Sequence, residues 1–194
     1  LQDNERQRHK VCFRDKVILY KDVIAMNKTA RNLTMLTDFY ELTMANGYFE
    51  NGMGEMISYF DMFFRSVPDD GGFAIMCGLD QMIDYMNGLS FDDDDIEYLR
   101  AKGIFSEAFL EYLKNFRFCC DVWAVPEGTP IFPGEPVVTV RGPAIQAQFV
   151  ETMVLICINH QSLIATKANR IVRAAEGRPV MEFGSRRAQG CDGA

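Results

Sequence analysis

The sequence predicts an α/β protein in which a mixed α+β N-terminal part leads into the first strand of an incomplete α/β layer. Three observations carry this prediction. Short apolar runs bounded by Pro and Gly alternate with segments whose apolar residues recur every three or four positions, and these are the periods of strands and helices. A stretch punctuated by Pro and Gly, 126–143, reads as short strands joined by tight turns. A long helical pattern over 144–175 is followed by one new strand, Val180–Gly184, which is the opening of an α/β unit.

Residues 1–25 are polar, charged and weakly periodic. They read either as an upstream extension, with Met26 as the true start, or as a loosely packed arm. A mixed N-terminal domain follows over 26–143. Leu36, Phe39, Tyr40, Thr43, Met44, Gly47 and Tyr48 recur at helical spacing, and Thr37-Asp38 with Glu41 makes the polar start of a helix from about Asp38 to Phe49. Ile57–Phe64 has no breaker and ends at Pro68-Asp69-Asp70-Gly71-Gly72, so it reads as a buried strand and its loop. Phe73–Gly78 is a second apolar run. Leu79, Met82, Ile83 and Met86 mark a helix that stops at Gly88. Asp92–Asp95 opens another helix and Ser106–Phe116 gives a third, before a strand within Arg117–Val125 that holds Trp123.

Pro126–Pro143 is then expected to be a small β-module of its own, because Pro cannot donate within a ladder and Gly supplies positive φ at turns. Over 144–194 the pattern is a long helix, or two with a small break, and one strand. Ile145, Phe149, Met153, Ile156, His160, Ile164, Ala168, Ile171 and Ala175 form its apolar stripe, and Gly177-Arg178-Pro179 ends it. One strand cannot bury both faces alone, so the layer it opens is expected to be truncated.

Composition narrows the function. With 194 residues, 48% of them hydrophobic, the chain can build a core of ordinary domain size. A net charge of -7 argues against the sequence-independent affinity for phosphate backbones that clustered Lys and Arg supply, so no nucleic-acid partner is expected. The apolar runs Phe73–Gly78 and Met153–Ile158 are far shorter than the roughly 20 residues that cross a bilayer, so no membrane helix is expected. The N-terminus lacks the apolar centre of a secretory signal, and cytoplasm is the expected location. Six cysteines (Cys12, Cys77, Cys119, Cys120, Cys157 and Cys191) lack the spacing of a zinc site or a disulfide framework, and read as reduced thiols packed as small hydrophobes.

Few residues here can carry chemistry. Phe183-Gly184-Ser185-Arg186-Arg187 sets an aromatic and two guanidiniums at one strand end, where an arginine can hold a carboxylate through two parallel hydrogen bonds while an aromatic ring lies on Phe183. Without a ligand they are solvated loop charges and a core phenylalanine. Asp38 reads as a helix cap favoured by the macrodipole, and Tyr40 as a core tyrosine. Asp92–Asp95 lacks the ligand spacing of a calcium loop, so it is expected to cap a helix and hold no metal. His160, on the apolar stripe, reads as a hydrogen-bonded core or interface residue and not as a base. Nothing assigns a role to His9.

Three segments, Asn32–Met44, Glu127–Pro143 and Glu182–Ala194, together resemble nicotinate phosphoribosyltransferases, in the same order and at sensible separations. The resemblance runs from Asn32 to the last residue. It implies a type II phosphoribosyltransferase fold, a mixed α/β N-terminal domain followed by an irregular α/β barrel whose first strand is Val180–Gly184. It also implies a cytoplasmic homodimer with a shared active site, acting in NAD salvage on nicotinate, phosphoribosyl pyrophosphate and ATP with Mg2+. ATP hydrolysis is coupled to attack of the nicotinate nitrogen on C1 of the phosphoribosyl group. By motif position, Tyr40 looks like the ring-stacking residue lent across the interface, with Asp38 beside it and Phe183 as the ring neighbour on the barrel side. Arg186 looks like a contact to nicotinate or the ribosyl phosphates, and Arg187 stands second.

The family's later barrel strands, glycine-rich phosphate loops and phosphorylated histidine match nothing before Ala194. His160 does not take the histidine's role, because its surroundings match the long helix. No catalytic residue is therefore expected within the 194 residues, and the chain alone is expected to be inactive. Three rival readings remain. A relative acting on nicotinamide or quinolinate is disfavoured by paired Arg186 and Arg187, since nicotinamide has no carboxylate. A biotinyl or lipoyl carrier is disfavoured because Glu127–Val140 contains no lysine. The third is a binding-only paralogue that dimerises through the Asp38 helix.

Overall fold

The structure, a computed structural model, describes residues 9–11, 31–190 and 193–194, and for 9–11 it describes the backbone. Met26, Cys12, Cys191 and most of the 1–25 stretch lie outside the described residues. In chain order the elements are β1 (His9–Val11), α1 (Phe39–Glu50), β2 (Ile57–Met62), β3 (Ala74–Ile75), α2 (Leu79–Gly88), α3 (Asp93–Ala101) and α4 (Glu107–Lys114). There follow β4 (Asp121–Ala124), β5 (Pro130–Ile131), β6 (Val138–Pro143), α5 (Ala144–Phe149) and α6 (Glu151–Ala174). Short 3-10 turns lie at Pro68–Asp70 and Ser185–Arg187.

Two antiparallel sheets result. The larger has the order β1-β4-β6-β2, with Phe60 opposite Val140 and Val122 opposite the other side of Val140. The smaller pairs β3 with β5. β1, within the stretch expected to be an extension, sets His9 opposite Ala124 at the sheet edge.

The helices start where their caps allow. Asp92 accepts the Asp95 amide and Asp95 accepts the Asp92 amide, a reciprocal box of carboxylates that begins α3. Ser106 accepts the Phe109 amide and begins α4. Each satisfies amides that the first helical turn leaves without a partner. Between them α1, α4 and α5 enclose an aromatic cluster: Phe91 and Phe116 both contact Phe149 at ring separations of 5.3 and 5.6 Å, and Phe109 stacks on Tyr112. This is the centre of one continuous core that also takes in Met82, Met86, Leu99, Ile145 and Ile158.

Four expectations fail, each for the same physical reason: the partner of an element is not encoded in the element. The Pro126–Pro143 stretch is not a module of its own. Its β5 joins β3 and its β6 joins β2, with Val137 donating to the Met62 carbonyl and Gly134 to the Phe64 carbonyl. Ile57–Phe64 is not a buried strand, since helices cover only one face of an antiparallel sheet, and Tyr59 on the other is 65% exposed. Val180–Gly184 is not a strand: no strand pairs with it among the described residues, a strand exists only by pairing, and at its end Gly184 already has helical dihedrals.

The fourth is the long helix. It does break, at Val150, into α5 and α6. Yet the predicted stripe reaches the core only at Ile145, Phe149 and Met153, while Ile156, His160, Ile164, Ala168 and Ile171 are exposed. The buried face of α6 is Met153, Val154, Cys157, Ile158, Ser162 and Thr166. Two hydroxyls belong there because the β3 edge needs acceptors: the Ile75 amide donates to Thr166 Oγ1 at 2.8 Å and the Cys77 amide to Ser162 Oγ at 3.0 Å. A helix thus completes a sheet edge. The 31-residue Ala144–Ala174 run is long and apolar enough to cross a membrane by length and composition alone, but it breaks at Val150 and its inner face packs into the protein core.

The cysteines divide by burial. Cys120 and Cys157 are buried and Cys77 partly so, as small hydrophobes, whereas Cys119 is exposed; all four are free thiols. Burial pushes the Cys120 thiol up to about 12 and the Cys157 thiol to about 11.

Candidate functional site

The start of α1 is built from contacts distant in sequence. Asp38 occupies the cap position with extended backbone, but its carboxylate caps nothing, contrary to the reading of Asp38 as the cap. The polar start is organised around Glu41 instead. Its carboxylate is fully buried and takes three donors: the Thr152 amide at 3.1 Å, the Thr152 hydroxyl at 2.5 Å, and the Thr37 hydroxyl. The Thr152 oxygen in turn accepts the Asp38 amide at 3.2 Å. Burial, the largest influence, raises the Glu41 pKa, against the three hydrogen bonds that favour its ionised form.

Tyr40, beside Glu41, is 43% exposed and so is not the core tyrosine that composition suggested. Its hydroxyl faces the Glu151 carboxylate at the first turn of α6, and burial together with that contact pushes its pKa up to about 12. Around it Leu36, Phe39 and Met44 are also exposed, and Phe39 leans edge-on against Phe105. An apolar surface with one phenol and two acids, Asp38 and Glu151, thus surrounds the motif.

Phe183, Arg186 and Arg187 are placed together, 183–187 forming one turn in which the Arg187 amide donates to the Gly184 carbonyl. Phe183 is 70% exposed, and both arginines are exposed with no partner among the described residues. The structure therefore gathers the predicted residues into two groups: Asp38 with Tyr40 at the start of α1, and Phe183 with Arg186 and Arg187 after α6. Two clefts among the described residues are lined by other side chains. One, of about 140 Å³, lies between β2 and β6 and the α5–α6 break and is lined by Phe60, Val140, Glu151 and Leu155. The other is a charged groove between α3 and α4, crossed by the Arg100–Glu107 and Lys114–Asp93 pairs.

His160 is exposed, which removes the core role offered for it. Among the described residues no group of His, Cys, Asp and Glu could hold a metal ion, and Asp92–Asp95 is taken up by the cap of α3 and the Lys114 pair. Sequence reasoning missed Glu151 and Thr152. Their one signal was an acid and a hydroxyl at the start of a long apolar helix, which reads as ordinary N-terminal chemistry.

Residues 35–159 match the family described as the nicotinate phosphoribosyltransferase (NAPRTase) N-terminal domain, a segment that contains Asp38, Tyr40, Glu41 and Thr152. The chain is similar to a nicotinate phosphoribosyltransferase of Mycobacterium tuberculosis, 47% identical over 160 residues that cover 82% of this chain and 34% of that one. It is also similar to the nicotinate phosphoribosyltransferase of Bacillus subtilis, 37% identical over 163 residues, covering 84% and 33%. Among solved structures, human nicotinic acid phosphoribosyltransferase superposes with a TM-score of 0.73 at 36% identity, covering 81% of this chain and 32% of that chain. The nicotinate-nucleotide pyrophosphorylase of Pyrococcus furiosus shares the fold, with a TM-score of 0.60 at 23% identity over 84% of this chain and 35% of that one. The chain thus spans about a third of the length of the relatives it matches. From the family match over 35–159 and the agreement of sequence relatives with the superposed human fold, the chain belongs to the nicotinate phosphoribosyltransferase N-terminal domain family.

Proposed function

We propose that this chain supplies the ring-recognition part of a cytoplasmic nicotinate phosphoribosyltransferase, which joins nicotinate to the phosphoribosyl group of phosphoribosyl pyrophosphate and releases pyrophosphate in NAD salvage. The observation that carries the reading is Tyr40: an aromatic inside the family match, held at a helix start beside Asp38, with almost half its surface open to a ligand or a second subunit. A phenol offered in this way stacks on a flat pyridine. Such pairs contribute about 0.5–1.5 kcal/mol beyond burial. Phe183 would cover the opposite face of the ring, and Arg186, with Arg187 second, would take the carboxylate or the ribosyl phosphates.

Tyr40 and the 183–187 turn form separate groups, so the reading requires a homodimer in which one subunit lends Tyr40 to the other's site. Bond breaking at C1 builds positive charge on the sugar, and the protein's part in it is to hold the ring nitrogen in line and to stabilise the departing pyrophosphate. This chain would do the first. ATP coupling, the phosphorylated histidine and the phosphate loops would lie in a further part of the enzyme, and the 194 residues alone would not turn over. No described side-chain cluster fits Mg2+, so the ion would arrive on the polyphosphate substrates.

The test uses the full-length enzyme that carries this sequence. Tyr40→Ala should raise the KM for nicotinate about tenfold, the equivalent of about 1.4 kcal/mol, and leave that for phosphoribosyl pyrophosphate unchanged. Arg186→Ala should erase the preference for nicotinate over nicotinamide. Mixed dimers of the two variants should recover activity, because some sites then hold both intact groups. An unchanged nicotinate KM in Tyr40→Ala, or turnover by the isolated 194 residues, would overturn the proposal.

A further inference from the structure

We propose that Glu41 is a positioning residue that fixes the orientation of the Tyr40 ring by locking the start of α1 to the start of α6 through Thr152. The consequence for nicotinate rests on the function proposed above; the lock itself does not.

The geometry is specific. Neighbouring residues of α1, Tyr40 and Glu41, reach neighbouring residues of α6, Glu151 and Thr152. Tyr40 turns outward and meets Glu151 at the surface. Glu41 turns inward and is sealed from solvent. Its carboxylate takes both donors of Thr152 and the hydroxyl of Thr37, while the Thr152 oxygen takes the Asp38 amide. The residues held by these bonds, 37, 38 and 41, bracket Tyr40 on both sides. With the backbone fixed at these points, the Tyr40 side chain can sweep only within the rotamers that its own helical position allows.

A buried carboxylate is a costly way to join two helices, because a charge removed from water must recover its solvation from fixed dipoles. Apolar contact alone would join them without that cost. What three hydrogen bonds add is direction: they set rotation about the helix axis and register along it, both of which an apolar contact leaves loose. The acids facing Glu41 from the packed elements are Glu151 and, across the core, the phenol of Tyr85, while Asp38 and Glu151 surround Tyr40. None is a cation. The carboxylate is therefore held by hydrogen-bond donors and not by an ion pair, which makes the hydroxyl of Thr152 the critical partner.

Thr152→Val keeps the shape of the side chain and removes the hydroxyl, whereas Thr152→Ser keeps the hydroxyl. Glu41→Leu removes every acceptor. Glu41→Gln keeps one oxygen for the two Thr152 donors and turns an amide toward Thr37, whose hydroxyl can accept. The first readout is carbon-13 tyrosine NMR of the 194-residue chain, with Tyr40 assigned through Tyr40→Phe. Thr152→Val and Glu41→Leu should shift and broaden the Tyr40 signal, and Thr152→Ser and Glu41→Gln should restore it. Unfolding midpoints of the four variants identify any that are not folded. The second readout is kinetic, in the full-length enzyme: Thr152→Val should raise the nicotinate KM about tenfold with kcat nearly unchanged, and Thr152→Ser should recover it.

A Tyr40 signal identical in folded Thr152→Val and wild type overturns the proposal, as does a serine variant as perturbed as the valine one. If the signal moves and is rescued while the nicotinate KM stays constant, the lock is upheld and it is the ring-stacking role of Tyr40 that fails.

Discussion

Gly78 is where the packing of α2 against α6 can be tested most sharply. It sits at φ 109° and ψ 6°, in the left-handed region, directly before α2. A Cβ built on it would lie 2.4 Å from the Cys157 carbonyl oxygen, 2.8 Å from its carbon and 3.2 Å from the Ile158 Cα. All three are backbone atoms of α6, so no side chain can rotate aside. The Gly78 and Leu79 amides also donate to a single oxygen of Glu127, each at 2.7 Å, and a backbone shift at Gly78 would pull them from it. The left-handed conformation costs a non-glycine residue about 1–2 kcal/mol, and forcing an extra carbon into a packed contact adds about 1–3. Gly78→Ala should therefore lose about 2–5 kcal/mol. Gly134 supplies the control: it has φ 77°, in the Pro133-Gly134 turn, and nothing within 4 Å of its Cβ direction. Gly134→Ala should lose the conformational part alone, about 1–2 kcal/mol. Urea unfolding with unchanged m-values measures both, and in thermal unfolding Gly78→Ala should lower the midpoint by on the order of 10 °C. Equal losses in the two variants would refute the close approach of Gly78 to α6.

Glu41 makes stability depend on pH with an unusual sign. Its pKa is raised by burial, so the folded state binds this proton more tightly than the unfolded one; the contribution is complete below the ordinary carboxylate range and is lost as pH rises through the folded pKa. Glu41→Gln should therefore stabilise the chain at about pH 7, and its advantage in thermal midpoint should shrink toward about pH 4; a constant difference would show that Glu41 does not carry the burial penalty. At α3, Asp92→Ala should cost about 0.5–2 kcal/mol by removing the cap, while exposed Asp94→Ala should stay within about 0.5, both by chemical denaturation. Equal effects would mean that acidity at the start of α3, and not the Asp92 hydrogen bond, stabilises the helix.

What could be read from the sequence was what neighbours in sequence determine. The starts of α3 and α4 follow from Asp92 and Ser106, the end of α2 falls at Gly88, and Pro133-Gly134 makes its turn, because each depends on atoms within four residues. Tyr40 and Asp38 stand out for another reason, as part of a motif within the family match, and the motif says nothing about what holds them. The Glu41–Thr152 contact joins residues 111 apart, and neither residue is unusual where it stands. Val180–Gly184 has the composition of a strand and lacks a neighbour among the described residues, so it forms no ladder.

The reversed stripe of α6 shows most plainly why periodicity ran out. The helix carries two sets of residues at three-to-four spacing, and counting apolar groups selects the set through Ile156, Ile164 and Ile171, which the fold leaves at 46, 57 and 46% exposure. The other set turns inward although it contains Ser162 and Thr166. Burying a hydroxyl is unfavourable on its own, at about 1–3 kcal/mol when it finds no partner. Here both find one: they relieve the amide of Ile75 in the two-residue β3 and that of Cys77 just after it, where β3 pairs with β5 on one side and, among the described residues, with no strand on the other. Leaving those amides buried and unpaired would cost as much again. The orientation of α6 is thus decided by the hydrogen-bonding needs of β3, over 80 residues earlier in the chain. The same rotation that sends Ser162 and Thr166 to β3 sets Thr152, three helical turns before, under Glu41, so the geometry around Tyr40 and the satisfaction of a distant strand edge are consequences of one choice of helix face.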